Sequence, residues 1–288
     1  MITIRPARKS DKDEILSFCM NTFSWGDYIN RVWDYWYAEK NGQLFVAESS
    51  GEKIAMSHVA ICPKGKGIWL EGIRVHPAHR RSYIATMLLA KMLEYGRQKG
   101  AREASAIVDA TNFPSQSLME KNGFRVVSKW MYYNALSILR HQESNARIAN
   151  VDDIDNIWQY LLQSKIYPLS GKRYVKSWHW YTFDRRELLN FVKEERVIVT
   201  SLPIDGIAII NKHGYWDRTN ILQIVYLDIA SVSSLHHLVS FITNLYSDGK
   251  FDSLQLICYN SKQVTSFIDK FVIKEEEQFL LYNKQFTP

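Results

Sequence analysis

The chain has 288 residues but only three cysteines, Cys19, Cys62 and Cys258. They are far apart and odd in number. That excludes a disulfide framework, offers no metal-ligand spacing, and suits a reducing compartment. No continuous apolar run of roughly 18 residues is present, so no membrane span is expected. The opening stretch, MITIRPARKSDKDE, has no apolar run of the signal-peptide kind, and the protein is expected in the cytoplasm. Charge of one sign is also in short supply. A net charge of +6 and a pI near 9.0 mildly favour anionic partners. The charge is diffuse and no nucleic-acid motif accompanies it, so nucleic acid is not an expected partner.

Core-forming residues are abundant: nine Trp, 16 Tyr and 13 Phe, with 46% of the chain hydrophobic. The length suits two domains. Ile2–Ile4 alternates as a short strand, and Ser10 or Asp11 can cap a helix after it. Residues 25–40 are rich in aromatics, among them Trp25, Trp33 and Trp36. Strands are expected at Leu44–Ala47, Lys53–Ile61 and Ile68–Val75, with a turn at residues 64–67. Helical spacing runs from Arg81 to Lys99, with Ile84, Leu88 and Met92 on one face. A buried strand at Ala104–Val108, a helix at Asn112–Lys121 and a strand at Phe124–Ala135 follow. This order defines a mixed α/β layer fold.

The order then begins again. At an offset of 142, Arg147, Ala149, Asp153 and their neighbours echo Arg5, Ala7 and Asp11. A helix near 152–163, strands near 196–200, 206–210 and 221–229, a helix 233–246, a strand 253–258, a helix 260–270 and a strand 277–284 repeat the pattern. The reading is a tandem duplication, with domains 1–140 and 146–288 joined through a polar stretch at 141–146.

Chemistry concentrates in residues 71–85. A strand reaches Pro77, a basic loop follows, and a helix starts at once. A helix N-terminus leaves backbone N–H groups unpaired and carries partial positive charge, so it binds phosphate. Arg80 and Arg81 add charge there. A second signature is Asn112 followed by Glu120-Lys121-Asn122-Gly123-Phe124.

Together these segments resemble the GCN5-related N-acetyltransferase (GNAT) superfamily over roughly residues 2–135. The family's pyrophosphate motif, Arg/Gln-x-x-Gly-x-Gly/Ala, falls on Arg80, Arg81, Ser82, Tyr83, Ile84 and Ala85. The resemblance implies acetyl-CoA as donor and a primary amine as acceptor; no metal is expected. It implies that the strand at Ile73, Arg74 and Val75 splays open to hold the pantetheine arm. The Ile73 amide is the expected oxyanion donor. Because the acceptor amine is mostly protonated at pH 7, a base is needed, and Glu71 is the candidate. Asn112 has two readings, helix cap and cofactor contact, and both can hold.

Two positions depart from the family pattern. Tyr83 stands where glycine is usual; its bulk weakens phosphate approach, or its ring covers the nucleotide. Met119 stands where a tyrosine acid is frequent, leaving Tyr132, Tyr133 or a water to replace it. Residues 230–235 carry neither motif nor basic pair, so the second half reads as a degenerate copy, with Asp228 near the place of Glu71. The expected function is acetyl transfer to a small amine or amino acid, by a monomer or homodimer. The alternative is a CoA-binding module of little activity.

Overall fold

The computed structural model describes residues 1–23, 26–62, 67–137, 143–201, 203–212, 220–249, 251–262, 264 and 272–286. Trp25, the turn at 64–66, residues 141–142 and most of the expected helix 260–270 lie outside the described residues. The elements of the first half are β1 (Ile2–Pro6), α1 (Lys12–Cys19), α2 (Ile29–Ala38), β2 (Gly42–Ser49), β3 (Glu52–Ile61), β4 (Gly67–Val75), α3 (Ile84–Gln98), β5 (Glu103–Asp109) and α4 (Phe113–Lys121). Those that follow are β6 (Arg125–Ser137), β7 (Arg147–Ile148), α5 (Ile154–Gln163), α6 (Ile166–Leu169), β8 (Arg173–Lys176) and β9 (His179–Thr182). The chain closes with α7 (Arg185–Lys193), β10 (Val197–Val199), β11 (Gly206–Asn211), β12 (Ile221–Ile229), α8 (Val232–Asp248), β13 (Ser253–Tyr259) and β14 (Val272–Gln285).

The chain divides into two compact units, Met1–Val126 with Leu281–Pro288, and Val127–Leu280. In the first, β1 to β4 pair antiparallel in sequence order, and β5 runs parallel to β4. β5 takes β14 as its other neighbour. Helix α2 buries Ile29, Val32, Trp33 and Trp36, the i, i+3, i+4, i+7 stripe of an amphipathic helix, while Asp34 and Tyr35 stay exposed. The aromatic stretch is therefore core on one face only. Helix α3 packs on β3 and β4 through Leu88, Leu89 and Met92. It starts at Ile84, three residues later than the periodicity of Arg81–Lys99 predicts, because Arg81 and Tyr83 take left-handed φ values of +64° and +61°.

In the second unit the order is β6-β13-β12-β11-β10-β7, with β12 and β13 parallel and every other pair antiparallel. Helix α8 packs on β11 and β12 through Leu235, Leu238 and Ile242. Helices α6 and α7 and the short strands β7, β8 and β9 have no counterpart in the sequence reading. The compact units also cut the chain differently from the sequence halves 1–140 and 146–288. Most of β6 lies in the second unit, and the end of β14 lies in the first. Each unit thus places beside its parallel pair a strand that comes from the other half of the chain.

The repeated sequence has a physical basis. Arg5 grips Asp11 with two hydrogen bonds of 2.7 and 2.9 Å, and Arg147 grips Asp153 at 2.6 and 2.7 Å. Each carboxylate also accepts the N–H three residues back, from Arg8 at 2.7 Å and from Asn150 at 2.8 Å. Asp11 therefore braces the turn before α1 and does not cap the helix with its side chain. Among the described residues, no helix is long and apolar enough to cross a membrane.

The end of β14 is tied firmly into the first unit. Tyr282 is fully buried, and its hydroxyl donates to Glu120 at 3.0 Å. Asn283 donates to Glu103 and Ser105, both at 3.0 Å, and the Phe286 N–H donates to the Arg102 carbonyl at 2.7 Å. Tyr282→Ala is expected to lower unfolding free energy by about 3–4 kcal/mol, and Tyr282→Phe by about 1 kcal/mol. Urea titrations of the three proteins check this; an unchanged midpoint in Tyr282→Ala would show that this strand end adds nothing to the unit's core.

Candidate functional site

The site begins with a misfit between two strands. Met56 faces Arg74 and His58 faces Glu71, so Ser57 alone stands opposite Gly72 and Ile73. That is a β-bulge on β4. Gly72 adopts φ +67°, and a Cβ there would lie 2.6 Å from Cζ3 of Trp36. Only glycine combines that dihedral with that approach. On its other edge β4 pairs with β5 at Gly67–Glu103, Ile68–Ala104 and Trp69–Ser105, and the pairing then stops although both strands continue. The strands part, leaving an opening flanked by β4 residues from Leu70 onward.

At the end of β4 the chain turns through Pro77–His79 into the basic loop. Arg80 Nε reaches back to the Val75 carbonyl at 3.4 Å. Arg80, Arg81, Ser82 and Tyr83 are all exposed, Tyr83 at 81%. Arg81 and Tyr83 hold glycine-like backbone conformations without being glycine. The loop thus keeps the conformation that the usual glycine would supply, and α3 opens directly from it. No side chain caps α3, and its first turn has no acidic residue. Ile84 is buried while Ala85 is half-buried. Such a terminus presents N–H donors and positive potential to an anion.

Glu71 is mostly buried and joined to groups that lie far from it in sequence. Its Oε1 is 2.9 Å from Nδ1 of His58, a fully buried residue of β3. The other ring nitrogen, Nε2, lies 3.2 Å from Oε2 of Glu39, just past α2, though off the line of a well-directed hydrogen bond. Trp36 stacks on the imidazole at 4.5 Å and 5°. Burial alone would drive the His58 pKa down; Glu39 and Glu71 outweigh it and hold the ring above its ordinary value. The stability this adds is present below the ordinary imidazole pKa and fades as pH rises through the raised one. His58 and Glu39 escaped the sequence reading because only the β3/β4 register and the α2 terminus bring them to Glu71.

The other expected residues divide by role. Arg74 spends its side chain on Asp27, at 2.6 and 3.0 Å, with its guanidinium over Phe23 and Tyr28; its side chain ties the α1–α2 connection to β4. Ile73 and Val75 are half-buried on the parted end of the strand. Asn112 caps α4, its Oδ1 accepting the Ser115 N–H at 3.1 Å. Met119 is buried. Tyr132 and Tyr133, suggested as replacement acids, are buried in the second unit, where Tyr132 accepts from Gln255 at 3.1 Å. Tyr282 brings a phenol to the first unit, but burial and Glu120 push its pKa up to about 12. Burial, then Asp27, pushes the Cys19 thiol up to about 12, in line with an inert role. Glu52, His76 and His79 gather beside the loop. His76 uses Nδ1 to accept the Ala78 N–H, so a neutral ring keeps its proton on Nε2 and has no lone pair there for a metal.

The second unit repeats the frame without the opening charge. β12 and β13 pair from Ile221–Ser253 to Ile224–Leu256 and then stop. Yet α8 is capped by Ser231, whose Oγ accepts the Ser234 N–H at 3.1 Å, and Ser234 donates to Asp205 at 2.9 Å. Both features fill and repel where an anion would bind. Asp228 accepts from Tyr160 at 3.0 Å, Ser164 at 2.7 Å and Tyr226 at 2.9 Å. Burial pushes its pKa up and the hydroxyls pull it back. It is a satisfied core carboxyl.

A strand that parts from its parallel neighbour, next to an uncapped helix opening from a basic loop, is the framework of acyl-CoA-dependent N-acyltransferases. Residues 12–124 match the family model described as Acetyltransferase (GNAT) family. The chain is 32% identical over 107 residues to the aminoglycoside N(6')-acetyltransferase type 1 of Acinetobacter haemolyticus, covering 34% of this chain and 72% of that one. It is 29% identical over 93 residues to the histidine N-acetyltransferase of Scomber australasicus, a match spanning 32% of this chain and only 28% of that protein's length. A crystal structure of a GCN5-related N-acetyltransferase from Sphaerobacter thermophilus superposes with a TM-score of 0.64 at 14% identity, covering 100% of this chain and 96% of that one. A tandem GNAT protein from the clavulanic acid biosynthesis pathway does so with a TM-score of 0.53 at 9% identity, covering 100% and 99%. The chain belongs to the acetyltransferase (GNAT) family, and its fold is like that of a tandem GNAT protein.

Two backbone positions make opposite predictions. Tyr83→Gly releases a left-handed tyrosine and is expected to stabilise the fold by roughly 0.5 kcal/mol, net of glycine's greater freedom when unfolded. Gly72→Ala forces a Cβ against Trp36 at a positive φ and is expected to cost about 2–3 kcal/mol. Denaturant unfolding of both variants checks the pair; equal effects would mean that neither dihedral is required.

Proposed function

We propose that the first unit transfers an acetyl group from acetyl-CoA to the primary amine of a small molecule or amino acid, in preference to a protein lysine or N-terminus. The observation that carries this reading is the uncapped, acid-free N-terminus of α3, with Arg80 and Arg81 before it, at the end of a parted strand that holds Glu71. The residues present fit acetyl-CoA: donors and positive charge for its pyrophosphate, and a strand edge for its pantetheine arm. Arg80, Arg81, Ser82, Tyr83, Ile84 and Ala85 hold the phosphates, and Ile73, Arg74 and Val75 lend their backbone to the arm. Asn112 contributes beyond β5 while capping α4. When bound, acetyl-CoA supplies an acyl group already activated as a thioester.

The chain's own residues handle the proton and the charge. A primary amine of pKa near 10 is only about 0.1% neutral at pH 7, so it needs a base. Glu71 takes that proton through a water, and the Ile73 N–H faces the oxygen on which negative charge develops. Met119 donates nothing, and a thiol of pKa ~8.5 leaves without an acid. Support for a small acceptor comes from the relatives, whose names give histidine and aminoglycosides as substrates. We also read the sequence as two copies, 1–140 and 146–288, of which only the first keeps the donor site, in a cytoplasmic protein. A second reading, a CoA-binding module of little activity, is favoured by Tyr83 and Met119 at positions where the family usually has glycine and tyrosine.

Thiol release from acetyl-CoA, measured across amino acids, polyamines, aminoglycosides and lysine peptides, tests the proposal. Amine-dependent turnover is expected with a small acceptor. Glu71→Gln is expected to lower kcat roughly 100-fold, and Arg80→Ala or Arg81→Ala to raise the KM for acetyl-CoA about tenfold. Turnover with peptides alone would overturn the acceptor class. Binding of CoA without turnover would favour the second reading, and absence of binding would sink both.

A further inference from the structure

We infer that His58 and Glu39 are positioning residues for Glu71: the buried imidazolium, held between two carboxylates, fixes the Glu71 carboxylate and keeps it ionised. This rests on the reading of Glu71 as the base. Three separate segments build the array, and its central ring is fully buried. One nitrogen lies 2.9 Å from Glu71 Oε1 and the other 3.2 Å from Glu39 Oε2. A neutral imidazole has one N–H and no charge to offer the second carboxylate, whereas the cation hydrogen-bonds Glu71 and forms an ion pair with Glu39. Trp36, parallel to the ring at 4.5 Å, sets its plane. The space is reserved as well: a Cβ on Gly42 would lie 2.9 Å from His58 Nε2 and 3.0 Å from Glu39 Oε2.

With His58 charged, the three groups sum to one negative charge; with it neutral, two carboxylates flank a buried dipole and disfavour each other's ionised forms. Among the described residues, the other titratable groups facing the array are Tyr35, which senses both carboxylates, Tyr95, which senses Glu39 and donates to the Gly42 carbonyl at 3.4 Å, and the buried Tyr28, which packs against Trp36, senses Glu71 and has its pKa raised by burial. All three phenols have pKa values raised by burial and by these carboxylates, so they stay neutral at pH 7.

The test compares the native protein with His58→Gln, which retains an amide donor and loses the charge. The acid limb of kcat/KM is expected to move up by about one pH unit, so the loss of activity is greatest at pH values below the limb and least on the plateau above it. A loss equal at every pH would overturn the inference, because a purely structural role predicts just that. Should His58→Gln not fold, NMR of 15N-labelled histidine in the native protein and in Glu39→Gln decides without substrate. The His58 ring is expected to titrate above ~6.5 in the native chain and at least half a unit lower in Glu39→Gln. A ring titrating at or below the ordinary value, or indifferent to Glu39, overturns the inference. Full activity in Glu71→Gln removes the base reading itself, an outcome distinct from an inactive Glu71→Gln beside an unmoved acid limb in His58→Gln.

Discussion

One extra residue in β4 organises the first unit. Gly72 and Ile73 share the space opposite Ser57, and the ring of Trp36 occupies the volume that any side chain at position 72 would need. The bulge bends the strand just past the last β4–β5 pair and next to Glu71, whose register partner on β3 is His58. Downstream of it, Arg74 is locked to Asp27, and Arg80 reaches back to the Val75 carbonyl. The loop that opens α3 is therefore hung from the strand that carries the carboxylate.

The second unit shows what the same frame becomes without the chemistry. It retains the Arg–Asp clasp at its start, a register shift between β11 and β12 and a parallel pair that parts early. What differs is polar detail. Ser231 occupies the helix terminus as a cap, Asp205 adds negative charge through Ser234, and Asp228 is quenched by three hydroxyls. A capped terminus with an acid nearby offers an anion fewer donors and a weaker positive potential. The contrast is local, which is why it leaves the frame of the second unit intact.

Much of this was legible in the sequence, because much of it is local. The strand–loop–helix around residues 67–98, the Asn112 cap and the 142-residue repeat each depend on residues close together in the chain. The repeat in particular is written in Arg5 and Asp11, whose clasp spans six residues. What could not be read depends on long-range register. Glu39, His58 and Glu71 meet only once α2, β3 and β4 are packed, and Arg74 meets Asp27 across 47 residues. The placing of β6 and the end of β14 was hidden for the same reason: a strand's alternation reveals that it pairs, never with which neighbour. The late start of α3 was hidden because apolar spacing does not report that Arg81 and Tyr83 sit at positive φ.

In the proposed function the donor binds at α3 of the first unit and not at α8 of the second. Calorimetric titration with coenzyme A of the native chain and of Ser82→Asp tests this most directly. The added carboxylate favours the helix dipole, so it leaves folding intact while opposing phosphate. The expected result is one site per chain, weakened at least tenfold in Ser82→Asp with an unchanged or higher Tm. Two sites per chain, or an affinity indifferent to Ser82→Asp, would contradict it.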